Sequence, residues 1–126
     1  MVDIAKQIAY WSEGAQEELA VARDLLAMRR WRHCLFFAHL ALEKVLKAFV
    51  CKETQDLAPR SHNLPYLAEL AKLSLTPEKD ALLARMNAYQ TEGRYPDQKL
   101  PPADEFRATE YYQRVEEFTQ WLVGTL

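Results

Sequence analysis

The sequence predicts an all-α fold, an antiparallel up-and-down bundle of about five helices that forms one domain over residues 1–126. The chain has three glycines and six prolines, and it is rich in Ala, Leu, Glu, Lys and Arg, which favour helices. Apolar residues recur at steps of three and four along most segments. No segment alternates apolar and polar residues as a half-buried strand does.

The first two predicted helices are long. Asp3 is a candidate N-cap for a helix that runs to about Met28, with an apolar stripe that starts at Ile4. The second helix, WRHCLFFAHLALEKVLKAFVCKE, is the most apolar segment and is predicted to lie in the middle of the bundle. Its small-residue face, suited to close helix packing, comprises Cys34, Ala38, Ala41, Val45 and Ala48.

Three further helices follow a connector. LPYLAELAKL, residues 64–73, carries Pro65 near its first turn, where a missing N–H costs nothing. Thr76 opens a fourth helix through Met86 and Tyr89, and Asp104 caps the last one. The tryptophans are assigned to core or dimer contacts; they are Trp11, Trp31 and Trp121.

Composition excludes several classes of protein. The net charge of −2 provides no overall basic field for nucleic acid. Cys34 and Cys51 lie on one predicted helix, roughly 25 Å apart, too far for a disulfide, and lack the spacing of a zinc site. They are predicted to be buried free thiols, and no cofactor or metal is expected. The absence of an apolar span or of a signal-peptide pattern predicts a cytoplasmic protein.

Four polar residues interrupt the apolar second helix: Arg32, His39, Glu43 and Lys47. At 100° per residue they fall within about 60° of one another on the helix. Glu43 and Lys47 have the spacing of a helix ion pair, and His39 can hydrogen-bond Glu43. The ribbon is either a polar edge with salt bridges or a row of ionisable groups that lines a groove.

Two other segments carry candidate ligand-binding residues. In PRSHNLPYL, residues 59–67, His62 or Asn63 can cap the next helix, whose N-terminus is also suited to an anion. In TEGRYPD, residues 91–97, Gly93 and the Pro-Asp pair fix where Arg94 and Tyr95 point. Arg94 can bind phosphate and Tyr95 can stack. Alternatively, Arg94 bridges to the Glu43 region and Tyr95 fills one end of the bundle.

In combination, these segments resemble the HEPN domain, a helical family linked to nucleotide binding. The resemblance rests on AVARDLLAM (20–28), CLFFAHLALEKVLKAF (34–49), SHNLPYLAEL (61–70) and AYQTEGRYPD (88–97), and it covers nearly the whole chain. It implies a homodimer that acts with a minimal nucleotidyltransferase in a toxin–antitoxin-like pair. It also implies that the RYP loop, the His62 segment and the Glu43–Lys47 stripe converge on one groove.

The leading interpretation is a non-catalytic module that binds a nucleotide or RNA. Arg94 meets phosphate, Tyr95 stacks, Lys47 adds charge beside Glu43, and His62 with Asn63 orients the ligand. One alternative comes from nuclease members of the family, which use an arginine followed within a few residues by a histidine. Here RHCLFFAH supplies Arg32 and His39 at an unexpected place, the start of the second helix. A third interpretation is a scaffold with a salt-bridged polar groove.

Overall fold

The computed structural model describes residues 2–90 and 103–126. In this part of the chain the helices are α1 Ile4–Ala27, α2 Trp31–Thr54, α3 Leu64–Leu70, α4 Pro77–Met86 and α5 Glu105–Thr125. A 3₁₀ turn, Asn87–Tyr89, follows α4 directly. The described residues contain no strand, and the predicted all-α bundle is confirmed.

Side-chain caps start four of these helices. Asp3, Asn63, Thr76 and Asp104 each accept a hydrogen bond from the backbone N–H three residues further on. Such a bond satisfies one of the N–H groups that a helix leaves without a partner in its first turn. The caps at Asp3, Thr76 and Asp104 confirm the predictions. At the start of α3, Asn63 is the capping residue and His62 is left for another role.

The core is built around α2, which contacts α1, α3, α4 and α5. Its predicted small-residue face is fully buried, and Ala15 and Ala22 of α1 are fully buried as well. Small side chains allow the two helix backbones to approach closely. At Gly14 a Cβ atom would lie 3.0 Å from Cδ of Lys44, which shows how little room remains there.

Two helix ends differ from the prediction. α3 ends at Leu70 rather than at Leu73, because Lys72 adopts a left-handed φ of 54°. The N–H of Leu73 then donates to the carbonyl of Ala68, which closes a Schellman-type turn. The segment predicted to extend α4 to Tyr89 tightens into the 3₁₀ turn after Met86.

The cysteines are buried free thiols, as predicted. Burial raises the pKa of Cys34 to about 12 and also raises the pKa of Cys51, so both thiols are protonated at neutral pH.

The tryptophans, which the sequence assigns to core or dimer contacts, differ in their exposure. Trp31 is partly buried against the core, and Trp121 lies on the surface with the ammonium of Lys79 3.5 Å from its ring centroid. No described helix is both long enough and apolar enough to span a bilayer.

Candidate functional site

Besides its two cysteines, α2 buries three ionisable residues: His39, Glu43 and Lys47 are 2%, 4% and 5% exposed. Burial of a charged group is costly unless a partner compensates it. Nζ of Lys47 donates to Oε2 of Glu43 over 3.0 Å, the ion pair that their spacing predicts. These two residues, together with His39 and His62, are called the α2 network below.

His62 reaches this buried pair from the connector after α2. Its Nδ1 lies 2.9 Å from Oε1 of Glu43, so each carboxylate oxygen has its own partner. The carboxylate can only accept, and Nδ1 therefore donates the proton of this bond. The His62 side chain is 65% exposed, so the part of the imidazole that does not contact Glu43 faces solvent.

His39 holds the backbone of the same residue. Its Nε2 lies 3.1 Å from the carbonyl oxygen of His62 and donates to it. Burial lowers the pKa of His39, and the nearby Glu43 carboxylate opposes this effect only in part. His39 is thus a buried imidazole whose Nε2 proton is already engaged.

The turn that carries His62 is fixed further by two asparagines. Oδ1 of Asn63 accepts from the N–H of Tyr66 at 3.2 Å, and Oδ1 of Asn87 accepts from the N–H of Leu64 at 2.9 Å. Pro65, which lies between Leu64 and Tyr66, has no N–H. The first donors of α3 are therefore already used, so the prediction of an anion bound at this helix start lacks available donors.

Trp11 of α1 contacts the ammonium group of the ion pair. The ring centroid lies 5.1 Å from Nζ of Lys47, within the range of a cation–π contact. Its indole Nε1 is buried and has no acceptor among the described residues. The ammonium of Lys47 is consequently enclosed between Glu43 and Trp11, not displayed as a free charge.

The structure brings only some of the predicted site residues together. Glu43 contacts both Lys47 and His62 directly, and Asn63 follows His62 in the chain. Arg94 and Tyr95 lie outside the described residues. Arg32 is exposed at the first turn of α2, whereas His39 is buried and bonded to a carbonyl.

Sequence reasoning missed two contributors to the site. Asn87 binds the backbone of Leu64 from 23 positions away, and Trp11 contacts Lys47 from another helix. An asparagine just after a helix is a common C-terminal signal, and it does not reveal a distant partner. Within residues 2–90 and 103–126, no group of three or more His, Cys, Asp or Glu residues is arranged to hold a metal ion.

The fold and the network define a class of small helical bundle in which a polar cluster joins the central helix to the turn after it. The family model of the HEPN domain matches residues 8–126, and the chain belongs to the HEPN domain family. This confirms the resemblance found from the sequence motifs. A comparison with curated proteins gives no significant match.

Two solved structures are similar over nearly their whole length. TT1696 from Thermus thermophilus is 20% identical, with a TM-score of 0.78 over 95% of this chain and 98% of that one. ST0689, described as an archaeal HEPN homologue, is 19% identical, with a TM-score of 0.72 over 94% and 96%. At this level of identity the likeness establishes the fold.

Proposed function

We propose that this HEPN protein is a non-catalytic module that binds a nucleotide or an RNA end beside the α2 network. The observation that carries the proposal is the exposed imidazole of His62, held in a fixed orientation by a buried carboxylate. A ligand site needs side chains whose geometry is set before the ligand arrives, since ordering them on binding costs free energy. Membership of a nucleotide- and RNA-related family supports a nucleotide or RNA as the ligand.

Each candidate residue has a proposed role. Arg94 binds phosphate through its planar guanidinium, and Tyr95 stacks on a base. His62 contacts the ligand directly, and Asn63 holds the turn that carries it. Because Lys47 is buried against Glu43, its proposed role is to position the Glu43 carboxylate rather than to contact phosphate.

The first experiment measures binding by Arg94→Ala and wild-type protein. AMP, GMP, CMP, UMP and a short single-stranded RNA are titrated, with tryptophan fluorescence and calorimetry as readouts. Loss of a charge-assisted contact predicts at least about tenfold weaker binding by Arg94→Ala. Arg114→Ala is the matched control, because Arg114 is an exposed arginine on α5 paired only with Glu110 among the described residues.

Two outcomes contradict parts of the proposal. Equal affinities of wild type and Arg94→Ala remove Arg94 from the site. No binding of any of these ligands by the wild type ends the proposal of a nucleotide- or RNA-binding module, and it favours the scaffold interpretation.

We propose further that the protein is a homodimer and acts with a minimal nucleotidyltransferase in a toxin–antitoxin-like pair in the cytoplasm. The resemblance to stand-alone HEPN proteins supports this. Light scattering coupled to size-exclusion chromatography should give twice the 14.7 kDa mass of the chain. A nucleotidyltransferase encoded beside the gene should co-purify with the chain when both are expressed. A monomeric mass contradicts the dimer, and separate elution of the two proteins contradicts the partnership.

A further inference from the structure

Of the four side chains of the α2 network, only that of His62 is accessible to a ligand. The side chains of Glu43 and Lys47 are 5% and 6% exposed and are bonded to each other. His39 is equally buried, and its Nε2 is used by the carbonyl of His62. Direct contact between this network and a ligand must therefore pass through the outer edge of the His62 ring.

The chemistry of that edge follows from the bond on the inner edge. Because Nδ1 donates to Glu43, a neutral His62 ring carries its proton on Nδ1 and a lone pair on Nε2. Within the described part of the chain, the only hydrogen bond of the ring is the one to Glu43, so Nε2 has no partner there. The neutral ring thus offers an acceptor of hydrogen bonds, not a donor.

This acceptor is held from both the side chain and the backbone. Glu43 fixes the ring, His39 fixes the carbonyl of the same residue, and Asn87 fixes the backbone two residues on. A histidine needed only to compensate the buried charge of Glu43 would not have to be exposed to solvent. His62 is instead rigidly held and well exposed, which suits an acceptor that positions a ligand.

A phosphate group is a poor partner for this acceptor. Phosphate oxygens at neutral pH only accept hydrogen bonds, and the Glu43 carboxylate directly behind the ring disfavours a second anion. A ribose carries hydroxyl groups that donate, and every ribonucleotide has them. Exocyclic amines also donate, but uracil has none.

We infer that Nε2 of His62 accepts a hydrogen bond from a ribose hydroxyl of the ligand, so that His62 distinguishes ribose from dideoxyribose. The inference rests on the proposed nucleotide or RNA binding and specifies which part of the ligand meets the α2 network. Glu43 and Lys47 are then positioning residues. Phosphate is bound elsewhere in the site.

The test compares the binding of ribonucleotides with that of their 2′,3′-dideoxy counterparts. AMP and UMP are each measured against the dideoxy form, and an RNA with a ribose 3′ end is measured against the same RNA ending in dideoxyribose. One neutral hydrogen bond predicts about fivefold tighter binding of the ribose form by the wild type.

His62→Asn is the informative variant. The amide nitrogen of asparagine can take the place of Nδ1 and still donate to Glu43, whereas nothing replaces Nε2. We expect the ratio of ribose to dideoxyribose affinities to fall to about one, with the urea midpoint unchanged. His62→Ala, which loses both bonds, should show the same ratio together with a lower urea midpoint.

The outcomes separate the inference from the proposed function. Equal affinities of the wild type for ribose and dideoxyribose ligands overturn the inference while nucleotide binding stands. A preference for ribose over dideoxyribose that persists in His62→Asn also overturns the inference, because another residue then contacts the hydroxyl. Preference for AMP over UMP without discrimination of the sugar assigns Nε2 to a base amine and overturns the ribose contact. Absence of all binding defeats the proposed function itself.

Discussion

The surroundings of His39 and His62 show how one residue type serves two purposes in the same network. His39 is 2% exposed, and its Nε2 proton is donated to a backbone carbonyl. The side chain of His62 is 65% exposed, and its Nδ1 proton is donated to Glu43. Each ring uses one nitrogen to fix the turn after α2. Only at His62 does the second nitrogen face solvent.

The difference teaches that ionisable residues in a helical ribbon do not by themselves form a binding surface. Glu43 and Lys47 are as buried as the aliphatic core, and their charges compensate each other inside the protein. They act by holding a histidine that comes from outside the helix. Substitutions in this network should lower the free energy of unfolding most at the buried Glu43–Lys47 pair and less at residues nearer the surface.

The largest effect is expected for Glu43→Ala. It leaves the buried ammonium of Lys47 without a counter-charge and frees the His62 ring, which should cost about 3–5 kcal/mol in the free energy of unfolding. Urea denaturation measures this value. A change below about 1 kcal/mol would show that the pair is hydrated in solution, contrary to its burial.

Two controls sharpen that prediction. The double variant Glu43→Leu with Lys47→Met fills the same space without charge and should recover much of the loss. Glu110→Ala breaks an ion pair of the same spacing on the exposed face of α5 and should cost at most about 0.5 kcal/mol. A double variant no more stable than Glu43→Ala would mean that the loss of stability comes from altered packing or lost hydrogen bonds and not from the uncompensated charge of Lys47.

His39→Leu should have the next largest effect. It removes the donor to the partly buried carbonyl of His62 and should cost about 1–3 kcal/mol, again by urea denaturation. The ring of His62 keeps its bond to Glu43, so some ligand binding should survive. Complete loss of ligand binding with unchanged stability would instead place His39 in contact with the ligand.

The same residue predicts a pH dependence. The pKa of His39 in the folded protein is lowered from 6.5, chiefly by burial, with Glu43, the His62 ring and Lys47 as the charged or titratable neighbours. As the pH falls, His39 therefore becomes protonated at a higher pH in the unfolded chain than in the folded protein. The stability that comes from the neutral His39 is fully present above its unfolded pKa, and it is lost as the pH falls toward the lower pKa of the folded protein. His39→Leu should abolish this part of the decline, and an unchanged decline would assign it to other groups.

A smaller effect is expected for the cap of α3. Asn63→Ala should cost about 1 kcal/mol, because it removes the acceptor for the N–H of Tyr66. Asn63→Ser restores a capping oxygen and should recover most of the loss. A serine variant as unstable as the alanine one would mean that Asn63 stabilises the turn by another contact.

The smallest effect is expected for Arg32→Ala, because Arg32 is exposed at the start of α2. Its free energy of unfolding should stay within about 0.5 kcal/mol of the wild-type value. Since His39 is buried and already bonded, we also expect RNA incubated with wild-type protein and a chelator to remain intact. Cleavage that disappears in both Arg32→Ala and His39→Ala would establish the ribonuclease alternative.

Local chemistry made much of the fold predictable. Helical periodicity, the caps at Asp3 and Thr76, and the Glu43–Lys47 pair depend on residues within four positions of one another. The end of α3 was not predicted, because the left-handed turn at Lys72 has no glycine or asparagine to mark it.

The candidate site was predictable only in part, since its contacts join distant residues. His62 and Glu43 are 19 positions apart, and their proximity was expected only from the family resemblance. Neither Asn87 nor Trp11 carried a signal for its partner. His39 lies on the most apolar predicted helix and His62 in a connector, but the degree to which each ring is covered depends on how the connector folds back over α2.

The most direct test of the central claim is the tautomer of each imidazole, measured by long-range ¹H–¹⁵N NMR during a nucleotide or RNA titration. His62 should carry its neutral-ring proton on Nδ1, with Nε2 shifting when the ligand is added, while His39 should carry its proton on Nε2 and remain unchanged. A His62 ring protonated mainly on Nε2, and indifferent to every ligand, would contradict a carboxylate-oriented acceptor at this site.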